Sequence, residues 1–184
     1  MKQTIKTKDL VLTALLIAIG IIIPVYFGFL RVILPPAFTA TIMAHVPIFI
    51  AMFISPWSAL FTAIGTTLGF WFTTSPVVTM RAASHVIFAL VGAFMVKRRC
   101  NLISIGLVTA VLHGIFEGLV VYLFLAMGLT TPNNGEPLLY TAFYVTGIGT
   151  LIHDLIDYVI ACVLGFALVK AKMLPTLPPI WKKA

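Results

Sequence analysis

Apolar residues run along this chain in long blocks, and polar residues gather at the breaks between them. A helix needs roughly 20 apolar residues to cross the roughly 30 Å hydrocarbon core of a bilayer. The first block, about 10–30, holds no charge and meets that length. It is too long for a cleaved signal peptide and lacks a small-residue cleavage site. Arg31 and the pair Pro35-Pro36 end it, since proline breaks a helix interior. A shorter block, about 39–54, contains Pro47 and is expected to be kinked or tilted. Ser55-Pro56 turns the chain into a third, about 57–73, and Thr74-Ser75-Pro76 into a fourth, about 77–96. Lys97-Arg98-Arg99 closes the fourth, the fifth covers about 102–129, and a polar loop around Asn133-Asn134 leads into the sixth, about 138–169. The pattern predicts an all-α polytopic membrane protein: one transmembrane domain over 1–184, with six spanning helices.

Composition agrees and narrows the class. The chain of 184 residues is 61% hydrophobic and 9% charged, with a mean hydropathy of +1.12. Soluble domains are about 25% charged, so a cytosolic enzyme domain, a disordered tail and a nucleic-acid reader are all excluded. The basic excess, 12 Lys and Arg against 5 Asp and Glu, sits at the ends of the apolar blocks. With six spans and a cytoplasmic N-terminus, Lys2, Lys6, Lys8, Lys97, Arg98, Arg99, Lys170, Lys172, Lys182 and Lys183 fall inside, leaving only Arg31 and Arg81 outside. The positive-inside rule therefore predicts both termini in the cytoplasm. Cys100 and Cys162 stand apart and form no CxxC pair. There is no GxxxxGK[ST] phosphate loop, so ATP hydrolysis by this chain itself is not expected.

Ionisable groups inside a membrane cost at least about 2.5–3.5 kcal/mol each, so they face a cavity or a partner. This chain places His45, Arg81, His85, His113, Glu117, His153, Asp154 and Asp157 within its blocks. Arg81 and His85 are four apart and share a helix face. A fixed cation there suits a carboxylate on a small solute; the alternative is that Arg81 reaches the head groups or pairs with Glu117. His113 and Glu117, like His153 and Asp157, are also four apart. Two such pairs can supply four metal ligands, or they can neutralise one another and hold the helices together. The second reading is preferred, and no metal is expected. Trp71, Tyr140 and Tyr144 fall near the outer face, either as an interfacial belt or as a wall that stacks a flat heterocycle. Asn133 in the outer loop offers hydrogen bonds or a turn. Ala14 and Ala18 form a small-xxx-small stripe on which another helix can approach closely.

Taken together, the whole chain resembles the substrate-binding (S) component of an energy-coupling factor (ECF) vitamin transporter. The likeness rests on the length, the six predicted spans and the opening Thr7-Lys8-Asp9-Leu10 followed by Ala14-Leu15-Leu16-Ile17-Ala18. Ala44-His45-Val46-Pro47 and Arg81-Ala82-Ala83-Ser84-His85 are similar to the branch containing riboflavin, pantothenate and niacin binders. The resemblance implies a plasma-membrane protein, not an enzyme and without a cofactor. It implies a vitamin pocket in the outer parts of helices four to six, with the loop around 30–38 as its lid. It also implies a transmembrane coupling protein (EcfT) that docks on Ala14 and Ala18, and two ATPases that drive the S component to topple. Cobalt and nickel S components open with Met-His, whereas this chain opens Met1-Lys2-Gln3. Arg81, His85, Glu117, Tyr140, Tyr144, Trp71 and Asn133 are the candidate substrate contacts. Arg81 favours an acidic vitamin, niacin or pantothenate, ahead of hydroxymethylpyrimidine. Two alternatives remain open: a metal transporter or enzyme built on His113, Glu117, His153 and Asp157, and a ligand-free scaffold subunit.

Overall fold

The computed structural model describes residues 6–34, 38–132 and 135–181. Its elements are α1 (Thr7–Tyr26), β1 (Arg31–Leu34), β2 (Phe38–Thr41), α2 (Val46–Met52), α3 (Pro56–Thr73), α4 (Pro76–Lys97), α5 (Leu102–Ala126) and α6 (Ile148–Lys170). A π-helical segment, Tyr140–Gly147, leads into α6, and the two together make a rod of 31 residues. This rod, α1, α4 and α5 are each long and apolar enough to cross a membrane. Large apolar side chains such as Leu15, Ile64, Leu107, Ile115, Ile152 and Val163 lie exposed along the helices, as a lipid-facing surface requires.

The local sequence explains where the helices start and stop. Ser55 caps α3 by accepting a hydrogen bond from the Ser58 N–H at 3.0 Å, and Asn101 caps α5 by accepting from the Ser104 N–H at 2.8 Å. Both side chains satisfy a donor that the helix itself leaves unpaired. At the other end of α5, Gly128 takes a positive φ of 68°. The Leu129 N–H then donates to the Phe124 carbonyl and the Gly128 N–H to that of Leu125, which closes the last turn. That geometry stops the helix at Ala126, three residues before the apolar block ends.

The helices pack closely where side chains are absent. A Cβ on Gly69 of α3 would lie 2.8 Å from the Ile21 carbonyl of α1, and one on Gly114 of α5 would lie 2.6 Å from the Gly147 carbonyl. Neither obstacle can swing aside, because both are backbone. The second contact draws α5 against the start of α6 and so brings their polar faces together.

The structure departs from an all-helical reading at 31–54. A two-stranded antiparallel hairpin, with Arg31 opposite Thr41 and Ile33 opposite Thr39, occupies the expected loop and the start of the expected second helix. The β-branched residues Val32 and Ile33 on one strand, and Thr39 and Thr41 on the other, favour extended backbone. Helix α2 is correspondingly only seven residues long, and every one of them is buried. It is a core helix rather than a full span, and Phe49 and Met52 pack among α3, α4 and α6 residues in the main apolar cluster. Irregular backbone at membrane depth is tolerated only inside protein or beside a cavity. Strand β2 meets that condition, since Thr39, Ala40 and Thr41 line the cavity described next.

Candidate functional site

The polar side chains of four elements converge on one point. Arg81 and His85 project from successive turns of α4, His113 and Glu117 from successive turns of α5, and Thr150, Asp154 and Asp157 from one face of α6. His45 immediately precedes α2. All eight are buried, with Arg81 only 4% exposed and Glu117 5%. Three of the chain's five acidic residues and all four histidines are gathered here, so the region is the chemical centre of the molecule.

Glu117 is the hub. Its Oε2 accepts from Arg81 Nε at 3.1 Å and from a terminal guanidinium nitrogen at 2.6 Å. The Thr150 hydroxyl donates to the same oxygen at 2.6 Å. Its Oε1 lies 3.1 Å from His85 Nε2 and 3.3 Å from His113 Nε2. Arg81 is held from the other side by the hairpin: one terminal nitrogen donates to the Thr39 hydroxyl at 3.2 Å and the other to the Thr39 carbonyl at 3.1 Å. A buried ion pair is tolerable only when its remaining donors and acceptors are satisfied, and these contacts meet that demand.

A second layer lies against the first. His113 Nδ1 sits 2.6 Å from Asp154 Oδ1, and His45 Nδ1 sits 3.1 Å from Asp157 Oδ2. Asp157 also accepts from the Met43 N–H at 2.9 Å and the His45 N–H at 3.1 Å. It thereby fixes the turn between hairpin and α2, where Met43 takes a φ of +70°. The His45, His85 and His113 rings meet edge-to-face with centroids 4.5–4.7 Å apart, and Phe88 stacks on His113 at 4.5 Å.

Between hairpin and helices lies a cavity of about 20 Å³, lined among others by Thr39, His45, Phe70, Arg81, His85 and Glu117. That is room for about one water molecule. An organic ligand the size of a vitamin does not fit this cavity as it stands.

Of the residues selected from the sequence, Arg81, His85 and Glu117 come together. Trp71, Tyr140 and Tyr144 do not line the cavity; they are 67%, 43% and 60% exposed, and the two tyrosines stack on each other at 4.9 Å. The aromatic that reaches the cavity is Phe70. Asn133 lies outside the described residues. Ala14 and Ala18 are exposed on α1, beside Leu10, Val11, Leu15 and Ile19. Both expected helical pairs are present, His113 Nε2 with Glu117 Oε1 at 3.3 Å and His153 Nε2 with Asp157 Oδ2 at 3.4 Å, and each carries a further partner: His113 also meets Asp154, and Asp157 also serves His45. Among the described residues, the groups that bring ligand atoms within 4.8 Å of one another are His45 with His85 and His113, and His45 with His153 and Asp157. Thr39 and Thr150 were not selected from the sequence, because a threonine in an apolar block carries no distinguishing signal.

No protein-family model matches the chain, and no solved structure matches it. A curated relative does: it is 35% identical over 181 residues, covering 93% of this chain and 80% of the relative. The chain belongs to the substrate-binding S components of ECF vitamin transporters. It is a transmembrane transport protein and not an enzyme. The relative is the niacin transporter NiaX of Lactococcus lactis subsp. cremoris (strain MG1363).

Proposed function

We propose that this protein captures niacin, as the nicotinate anion, from outside the cell and passes it inward through an ECF coupling protein and two ATPases. The observation that carries this reading is Arg81: a guanidinium buried beside a cavity, in a chain 35% identical to a niacin transporter. Two of its nitrogens are bonded to Thr39 on the hairpin. When the hairpin opens, those N–H groups are released together and can receive a planar carboxylate in the forked geometry that arginine favours. Glu117 stays in place, because His85 and Thr150 still hold it. The hairpin is thus both lid and placeholder, with Thr39 occupying the donors that the ligand takes.

The remaining features fit the same cycle. The charge distribution supports cytoplasmic termini, and the reading of six crossings takes β2, its following turn and α2 together as the second. The exposed Ala14 and Ala18 stripe lies along α1 in the half next to the basic N-terminus, where a coupling protein would dock. Binding of radiolabelled nicotinate to the purified protein tests the ligand. Uptake in cells expressing the chain with and without the ECF module tests the coupling: uptake that needs no module contradicts this account.

A further inference from the structure

We propose that His45, His85 and His113 form a binding site for one divalent transition-metal ion of the zinc, cobalt or nickel type, where α2, α4 and α5 meet. Metal-binding histidines usually donate their second ring nitrogen to a carboxylate or carbonyl, which fixes the ring and raises its basicity. All three rings have that partner: His45 Nδ1 on Asp157, His85 Nε2 on Glu117 and His113 Nδ1 on Asp154. The nitrogens this leaves on two of the rings are buried and make no hydrogen bond: His85 Nδ1, and His113 Nε2, which lies 3.3 Å from Glu117 Oε1 without hydrogen-bond geometry. A buried polar atom without a partner costs free energy, and a metal ion relieves it.

Reach and charge agree. Each of the three residues offers a ligand atom within 4.8 Å of those of the other two. Nitrogens around one tetrahedral ion at about 2.0–2.1 Å lie about 3.4 Å apart, so the rings need draw in by only on the order of 1 Å. Glu117, Asp154 and Asp157 face the single guanidinium of Arg81, and with neutral imidazoles two negative charges are left over. A divalent cation cancels them. The neighbouring group of His45, His153 and Asp157 is the poorer choice, because both Asp157 oxygens already accept from the chain at Met43 and His45. Imidazole donors suit zinc, copper, iron and nickel, whereas calcium and magnesium prefer oxygen. Three ligands leave a fourth position open, and His45 and His85 both line the cavity, so that position is within reach of what enters there.

The test uses the full-length protein in detergent, stripped with a chelator, dialysed and titrated with cobalt(II) in the absence of any vitamin. The expected result is one equivalent bound, with the intense visible absorption of four-coordinate cobalt, displaced by zinc(II), and a raised melting temperature. His85→Asn should abolish the absorption and His153→Asn should keep it. A folded wild-type protein that gives no such absorption overturns the proposal. Loss in His153→Asn with retention in His85→Asn also overturns it, by moving the ion to the other group. Nicotinate binding by the stripped protein is scored separately, so failure of the metal site and failure of the vitamin reading are distinguishable.

Discussion

Replacing Arg81 alone would confuse two effects. It removes the proposed ligand contact and also strands Glu117, and breaking a buried pair from one side costs about 3–5 kcal/mol. The paired change Arg81→Met with Glu117→Gln takes out both charges at once, while glutamine keeps an acceptor for Thr150 and a donor or acceptor for His85. Truncating one partner of a buried, hydrogen-bonded charge pair costs about 2–5 kcal/mol of binding, which is about 30-fold to about 5,000-fold in Kd. Isothermal titration calorimetry of purified protein with nicotinate reads this directly, and nicotinamide, which has the same ring without the charge, is the control. The wild-type protein should prefer nicotinate, and the double variant should lose both affinity and preference. If the double variant binds nicotinate within about threefold of wild type, or ~0.6 kcal/mol, Arg81 is a structural cation and the ligand argument fails.

Three further outcomes follow from the geometry. Ala14→Trp with Ala18→Trp places bulk on an exposed helix face and should stop uptake while leaving nicotinate affinity unchanged; loss of affinity would mean that face supports the core. Thr39→Val removes the hydroxyl that accepts from Arg81 at 3.2 Å, loosening the closed hairpin, so stopped-flow fluorescence should give faster nicotinate association. An unchanged rate would separate the hairpin from gating. Gly114→Ala sets a Cβ 2.6 Å from the Gly147 carbonyl and should lower the melting temperature by several degrees, since overpacking costs about 1–3 kcal/mol.

Much of the fold was legible because long charge-free blocks admit few structures in a bilayer. The breaks at Pro56 and Pro76 coincide with the first residues of α3 and α4. The hairpin was not legible: a hydropathy pattern does not separate an apolar strand from an apolar helix, and Val32-Ile33 reads equally well as either. For the same reason α2, buried on all sides, looked like a membrane span. At the site, helical spacing joined Arg81 to His85 and His113 to Glu117. It could not join His45 to Asp157, which lie 112 residues apart in sequence, or show that Thr39 and Thr150 complete the shell around Arg81 and Glu117. Trp71, Tyr140 and Tyr144 were drawn in by residue type, yet large aromatics at a membrane boundary serve the interface as readily as a ligand.

The most direct measurement is titration of the isolated, full-length protein with nicotinate, pantothenate and hydroxymethylpyrimidine, followed by intrinsic tryptophan fluorescence or calorimetry. Saturable binding of nicotinate at one per chain, tighter than either of the others, is what the account requires. Tighter binding of another vitamin, or no binding of any of the three by folded protein, would contradict it.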